Sequence, residues 1–220
     1  HPRRFVESVR RALGDRSATR LYFEVPNVLY TLKKLGIWDL IYEHCSYFSP
    51  SSLERLFTSC GFIVNDLQET YAGQFLSVEA LPNQERSSPT TSKAFTNGPN
   101  AEEMARDAEA LAERYRSKVR RWRGNLEKMR SATQHAVIWG AGSKGVTFLN
   151  ALEDRDRIPY AVDINPQKQG KYVPGTGQQI VPPAFLKSHE PDVVIIMNPV
   201  YEEEIQKTAV DLGISSELIC

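Results

Sequence analysis

The chain has 220 residues, 41% of them hydrophobic, and its 27 basic residues balance 27 acidic ones to a formal net charge of zero. That length allows one or two domains, and the charge balance leaves no global field to draw in nucleic acid. No apolar run approaches the ~20 residues that cross a bilayer, and Cys45, Cys60 and Cys220 lie too far apart for a disulfide framework or a zinc spacing, so no membrane, nucleic-acid or metal partner is expected.

The chain opens His1-Pro2-Arg3-Arg4, without the apolar segment of a secretory signal and without an initiating Met. A soluble cytoplasmic protein cut from something longer is the expectation. Pro2 suits a first helical turn, and Phe5, Val6, Val9 and Leu13 keep one apolar face until Gly14. Residues 21–25 read as a strand stopped by Pro26, and Val28, Leu29, Leu32 and Leu35 as a helix ending near Gly36. Ser49-Pro50 is an N-cap with proline at the first helical position. Leu53, Leu56, Phe57 and Cys60 form that helix's buried stripe, and Gly61 stops it. Two strand-like runs, 62–67 and 74–80, are joined so briefly through Tyr71 to Gly73 that an antiparallel pair is implied. A unit of so few strands, opening on a helix, has a marginal core. It reads as the back half of an α/β domain whose front half is absent.

Residues 83–100 are rich in Ser, Thr, Pro and Asn and read as a linker or exposed loop. A long helix follows over 101–130, because Met104, Ala108, Leu111, Tyr115, Val119, Trp122, Leu126 and Met129 recur at spacings of three and four. The basic residues Arg114, Arg116, Lys118, Arg120, Arg121 and Arg123 on its other faces are interleaved with glutamates. They read as a solvated face rather than a nucleic-acid patch.

From His135 onward, strand and helix alternate. Strands are expected at 136–139, 160–163, 193–197 and 217–219, with helices at 144–152 and 201–212, which implies a parallel sheet covered on both faces. Gly140-Ala141-Gly142-Ser143-Lys144-Gly145 between the first strand and helix fits G-x-G-x-x-G. In such a turn the first glycine permits the tight bend, the second lets a phosphate approach the backbone, and the third lets helix and strand pack closely. Helix N-terminal amides then face the anion, and Asp163 ends the next strand where an acid meets a ribose diol. Lys144 is placed to meet a phosphate or to be solvated. The chain then enters a loop, Asp163-x-Asn165-x-x-Lys168-x-Gly170-Lys171, continuing to Pro174-Gly175. Such a loop either wraps over a phosphorylated ligand or caps the sheet. The glycines alone are also compatible with a turn that binds nothing.

The stretches Trp139 to Gly145 and Asp163 to Gly175 resemble the C-terminal domain of S-adenosylmethionine-dependent sugar C-methyltransferases. The sequence Phe23-Glu24-Val25-Pro26, then Tyr42-Glu43-His44-Cys45-Ser46-Tyr47-Phe48-Ser49, then Cys60-Gly61-Phe62, resembles the end of that family's methyltransferase domain. The resemblance implies an α/β fold. The C-terminal half of a class I methyltransferase Rossmann-like domain, 1–82, is joined by a linker and long helix, 83–132, to a second small Rossmann-like domain, 133–220. It implies that the donor, S-adenosylmethionine, is held by a glycine loop in a front half absent here, so that the 220 residues alone are inactive.

The resemblance also implies a chemistry. Joining a methyl group to carbon needs a carbon nucleophile, which a ketone supplies when a base takes the proton from the neighbouring carbon. In the family, the histidine of a Tyr-x-Glu-His motif is credited with that step on a nucleotide-linked keto-deoxysugar. Glu43 and His44 stand at the motif's last two positions, but its tyrosine falls on Ile41, with Tyr42 or Tyr47 as the substitutes. Glu43 is placed either to orient the imidazole or to bind a sugar hydroxyl. Gly140, Gly142, Lys144, Gly145, Asp163 and Lys168 are the implied substrate-holding residues of the second domain. Two alternatives remain open: an NAD-dependent oxidoreductase using the glycine turn, weakened because only about 80 residues follow that turn's start, and a nucleotide-binding module without chemistry. The long amphipathic helix offers a face to a second subunit, as in a homodimer.

Overall fold

The computed structural model describes residues 1–84, 99, 101–152 and 157–220. The stretch read as a linker, 83–100, therefore lies almost wholly outside the described residues. The chain divides into two compact units, His1–Gly36 with Tyr42–Leu111, and Ile37–Ile41 with Ala112–Cys220.

The first unit runs α1 (Pro2–Leu13), β1 (Leu21–Pro26), α2 (Val28–Lys34), α3 (Pro50–Ser59), β2 (Phe62–Thr70) and β3 (Phe75–Pro82). The sheet order is β1-β3-β2, and β3 is antiparallel to both neighbours, so β1 and β2 run the same way. The hairpin between β2 and β3 is the antiparallel pair expected from its short connection. β2 is longer than the sequence suggested because a bulge between Val64 and Asp66 breaks the period of two. Val64 and Leu67, three residues apart, thus both reach the core.

That core gathers Val6 of α1, Leu53 and Phe57 of α3, and Phe62, Leu76 and Val78 of the sheet, with Phe23 packed edge-on to Phe57. α3 starts where the Ser-Pro signal placed it. The Ser49 hydroxyl accepts from the Ser52 amide at 3.2 Å and the Ser52 hydroxyl from the Ser49 amide at 2.9 Å, a reciprocal cap worth about 1 kcal/mol.

Cys60 caps α3 from inside the core, and burial pushes its thiol above the usual range. Because the thiolate is the reactive form and must be reached, a thiol reagent near neutral pH is expected to label exposed Cys45 first, exposed Cys220 more slowly because burial and then Glu202 raise its thiol too, and to spare buried Cys60 until the unit unfolds. Mass spectrometry after brief alkylation checks this; prompt modification of Cys60 in the native protein would contradict the packing.

The second unit contains α4 (Ala101–Ser131) from Ala112 onward, β4 (Ala136–Trp139), α5 (Ser143–Leu152), β5 (Tyr160–Val162), β6 (Gln179–Val181), α6 (Leu186–His189), β7 (Val193–Ile196), α7 (Glu202–Leu212) and β8 (Glu217–Ile219). Its five strands are parallel in the order β6-β5-β4-β7-β8. This is the α/β class predicted from the alternation, an open sheet whose strand order reverses direction at β4. β4 and β7 are buried along their whole length, as strands covered on both faces must be.

Of the α4 stripe, Val119, Trp122 and Leu126 are buried, whereas Ala108 is exposed. The C-terminal half of the helix is thus part of the second unit rather than of a connector. Phe148, fully buried on α5, packs edge-to-face with both Trp122 and Trp38, each with ring centroids 5.1 Å apart. Such pairs contribute about 0.5–1.5 kcal/mol each beyond their burial. Trp38 belongs to a 3₁₀ turn, Ile37–Asp39, which lies early in the chain but within the second unit. Lys118 lies over the Trp38 ring at 5.5 Å. Burial first, and then the charges of Arg121 and Lys144, pull its ammonium below the ordinary lysine range.

Sequence reading did not anticipate β6 or α6. The loop after β5 folds back on β6: the Gly170 amide donates to Ile180 and the Ile180 amide to Lys171. Three residues of strand after a glycine- and proline-rich loop carry too little pattern to be read.

Candidate functional site

Two places gather chemistry, one in each unit. In the first unit it is the C-terminal end of β1. Pro26 ends the strand, and Asn27, 2% exposed, caps α2 by accepting from the Leu29 amide at 3.0 Å. The Asn27 side-chain amide donates to the Glu69 carboxylate at 3.2 Å and to the Gly73 carbonyl at 2.9 Å, fastening the β2–β3 turn to the strand end. The segment 42–48 is tied to the same point: the Val28 amide donates to Phe48 at 2.9 Å, and the Phe48 amide to Pro26 at 3.3 Å.

His44 is thereby held half-buried beside β3, with Tyr47 edge-on at 5.9 Å between centroids and Phe75 at 6.3 Å. Of the two tyrosines considered from the sequence, Tyr47 is the one beside the imidazole. Tyr42 is 95% exposed, and Glu43 is exposed too. Asn27 and Glu69 were not singled out from sequence. The Pro-Asn pair before an apolar helical run was the available signal for Asn27 as a cap, but nothing local pointed to Glu69.

In the second unit a cavity of about 430 Å³ lies at the C-terminal ends of β4, β5 and β7. Open α/β sheets place their ligands there, outside the strand ends where the order reverses. The glycine turn forms its floor. Gly140 has φ of 120°, and a side chain there would meet Met197 Cβ at 3.3 Å. A side chain at Gly145 would fall 2.0 Å from the Gly140 carbonyl oxygen. These two glycines are required by the bend and by the approach of α5 to β4. Gly142 is different, because a Cβ there would have only the Lys168 ammonium nearby, at 4.0 Å.

Asp163, 8% exposed, accepts from the Ala141 amide at 3.1 Å and from Lys168 at 2.9 Å through one oxygen, and from the Asn165 amide at 2.9 Å through the other. Lys168 also donates to the Ala141 carbonyl at 3.3 Å, which brings its charge over the glycine turn. Lys144 lines the same cavity, but its ammonium pairs with Asp39 at 2.6 Å, both side chains largely buried. That pair fastens the 3₁₀ turn to α5. The structure thus brings Gly140, Gly142, Gly145, Asp163 and Lys168 together and turns the Lys144 charge to Asp39. It adds Asn198, Tyr201, Glu204 and Thr208 to the wall, residues around the start of α7 that carried no motif.

Among the described residues no helix is long and apolar enough to cross a membrane, and no three His, Cys, Asp or Glu side chains are grouped to hold a metal ion.

A family profile described as the C-methyltransferase C-terminal domain matches residues 76–213. Among curated proteins, the C-methyltransferase NovU of Streptomyces niveus is 28% identical over 193 residues, covering 84% of this chain and 45% of that protein. The chain spans about half the length of the curated relative it matches.

Proposed function

We propose a function from a plain premise: this chain belongs to the C-methyltransferase family, through the domain matched over residues 76–213. Its first unit is the acceptor side of a methyltransferase sheet, and His44 is the base that prepares the acceptor carbon. The donor is S-adenosylmethionine, and the acceptor is a nucleotide-linked keto-deoxysugar. The observation that carries the reading is that β1 and β2 run parallel with the antiparallel β3 between them, and His44 is pinned at the C-terminal end of β1. This supports the assignment of 1–82 as the back half of such a sheet, whose strand ends face the ligands.

The chemistry assigned to these residues is limited to the acceptor. The neutral imidazole of His44 takes the proton from the carbon beside the ketone, and the electron pair left behind delocalises onto the carbonyl oxygen. The Tyr47 hydroxyl is the nearer candidate donor to that oxygen, ahead of exposed Tyr42. Glu43, also exposed, suits a sugar hydroxyl. S-adenosylmethionine supplies an electrophilic methyl group. Among the described residues of the first unit no strand–glycine loop fits it, so no step is assigned to a donor contact.

The second unit holds the nucleotide part of the acceptor against Gly140, Gly142, Gly145 and Lys168. Asp163 is 8% exposed and already accepts three hydrogen bonds from this chain, which lends no support to an NAD-dependent oxidoreductase that would use it for a ribose diol.

The test is methyl transfer from labelled S-adenosylmethionine to a nucleotide-linked keto-deoxysugar. The 220 residues alone are expected to show none, and a polypeptide that also carries a donor-binding half is expected to turn over. Turnover by the 220 residues would overturn the division of labour. Absence of methyl transfer from the longer chain would overturn the function.

A further inference from the structure

We propose that four aromatic side chains of the first unit, Tyr47, His44, Phe75 and Tyr71, form a wall that reads the deoxygenated carbons of the acceptor sugar, with Tyr71 as the specificity-determining residue. Asn27 and Glu69 are positioning residues that hold Tyr71 there. The proposal rests on the reading of His44 as the base and goes beyond it by assigning what lies beside the base.

The four rings stand in one chain of edge contacts. His44 meets Tyr47 at 5.9 Å between centroids and Phe75 at 6.3 Å, and Phe75 meets Tyr71 at 5.7 Å. None of the four belongs to the hydrophobic core of the unit, which has its own aromatic residues in Phe23, Phe57 and Phe62. Tyr47, His44 and Phe75 are half-buried, and Tyr71 is 52% exposed. A row of rings left outside the core is the surface a ligand with an apolar side would cover.

The backbone under Tyr71 is strained. The Gly73 amide donates to the Thr70 carbonyl at 3.0 Å, which closes the β2–β3 turn, and the two residues between them, Tyr71 and Ala72, have φ of 49° and 54°. Turns with positive φ at both central positions are normally made with Asn and Gly. A side chain on either residue is costly there, and such strain persists only where the surroundings impose it, which is most often at a functional site.

Asn27 imposes it. Its backbone amide donates to the Gln74 carbonyl at 3.0 Å, and its side-chain amide donates to the Gly73 carbonyl at 2.9 Å and to the Glu69 carboxylate at 3.2 Å. The same residue bridges to Phe48, at the end of the segment that carries His44. One residue, 2% exposed, thus fastens both the base and the outer ring of the wall to the end of β1.

The rings also say which sugar they suit. A hydroxyl pressed against an aromatic wall gives up water and gains no partner, whereas a deoxygenated carbon has nothing to lose there.

The experiment is steady-state methyl transfer by the polypeptide that includes the donor-binding half. The acceptors are a nucleotide-linked keto-deoxysugar and the matching keto-sugar that carries a hydroxyl at the deoxy position. The unaltered protein is expected to favour the deoxysugar by about tenfold or more in kcat/KM. Tyr71→Ala is expected to raise KM for the deoxysugar by about tenfold, more than it lowers turnover, and to lose most of the preference, with Tyr71→Phe recovering most of both. Asn27→Asp keeps the oxygen that caps α2 but sets an anion against Glu69 and the Gly73 carbonyl, so it is expected to reproduce Tyr71→Ala. Adding Glu69→Gln exchanges donor and acceptor in that pair and is expected to recover much of the loss, which a general loss of stability would not allow. Thermal melts identify any variant that fails to fold, and Tyr71→Ala, on the surface, decides without Asn27→Asp. Unchanged KM and preference in Tyr71→Ala would overturn the proposal and leave His44 as the base. No methyl transfer by the unaltered longer polypeptide would overturn that reading, and this proposal with it.

Discussion

Gly145→Ala is expected to unfold the second unit or to lower its melting temperature by more than about 10 °C, while Gly142→Ala leaves melting nearly unchanged. The two glycines sit three residues apart in one turn, so composition and propensity treat them alike. Geometry separates them. A methyl group at Gly145 would stand 2.0 Å from the Gly140 carbonyl oxygen and 3.2 Å from Ile138 Cδ1. The first of these is rigid backbone, so α5 must back away from β4. α5 carries Phe148 and Leu149, both buried to within 1% of fully, and their packing opens as the helix moves. Overpacking of this kind costs about 1–3 kcal/mol and occasionally more, a large share of the ~5–15 kcal/mol that holds a domain together. At Gly142 the methyl group meets only the end of a flexible lysine, which gives way at little cost. Calorimetric melting of both variants checks the pair. Equal melting temperatures would show that the tight contact between strand and helix is not required.

His44→Ala is expected to lower the turnover number by about 10²–10⁴ in a polypeptide that also carries the donor-binding half, with little change in KM. A general base contributes in the transition state, and its loss appears there rather than in ground-state affinity. The imidazole is suited to this by its setting. It is half-buried between Tyr47 and Phe75, on a segment that Val28 and Phe48 tie to the end of β1. Lys168→Ala in the same protein is expected to do the opposite, raising KM more than it lowers turnover, because it acts on the nucleotide end. Steady-state kinetics distinguish the two. Equal effects of both variants on both constants would dissolve the separation of base from holder.

Much of this was legible in the sequence, and the limits have physical reasons. The strand at 136–139, its glycine turn and the helix behind it announce themselves through local chemistry: an apolar run, a bend that only glycine makes, and a helical stripe. The Ser49 cap was legible for the same reason. The roles of Lys144 and Asp163 were not. Lys144 finds its partner at Asp39, 105 positions away, and no local pattern encodes that contact. Asp163 looks like a diol acid at the end of a strand. Only the path of the following loop, which brings Lys168 back to it, shows the carboxylate to be occupied. Tyr47 rather than Tyr42 stands by His44 because 42–48 is turn and loop, where neither the period of a strand nor that of a helix says which side chain faces inward.

The claim at the centre of the account is that His44 draws a proton from the acceptor carbon before any methyl group moves. Hydrogen exchange at that carbon measures the step directly. A nucleotide-linked keto-deoxysugar is incubated in heavy water with the polypeptide that includes the donor-binding half, without S-adenosylmethionine, and deuterium beside the ketone is followed by NMR. Protein-dependent exchange is expected, falling to the background rate in His44→Gln. Exchange that continues undiminished in that variant would contradict the claim.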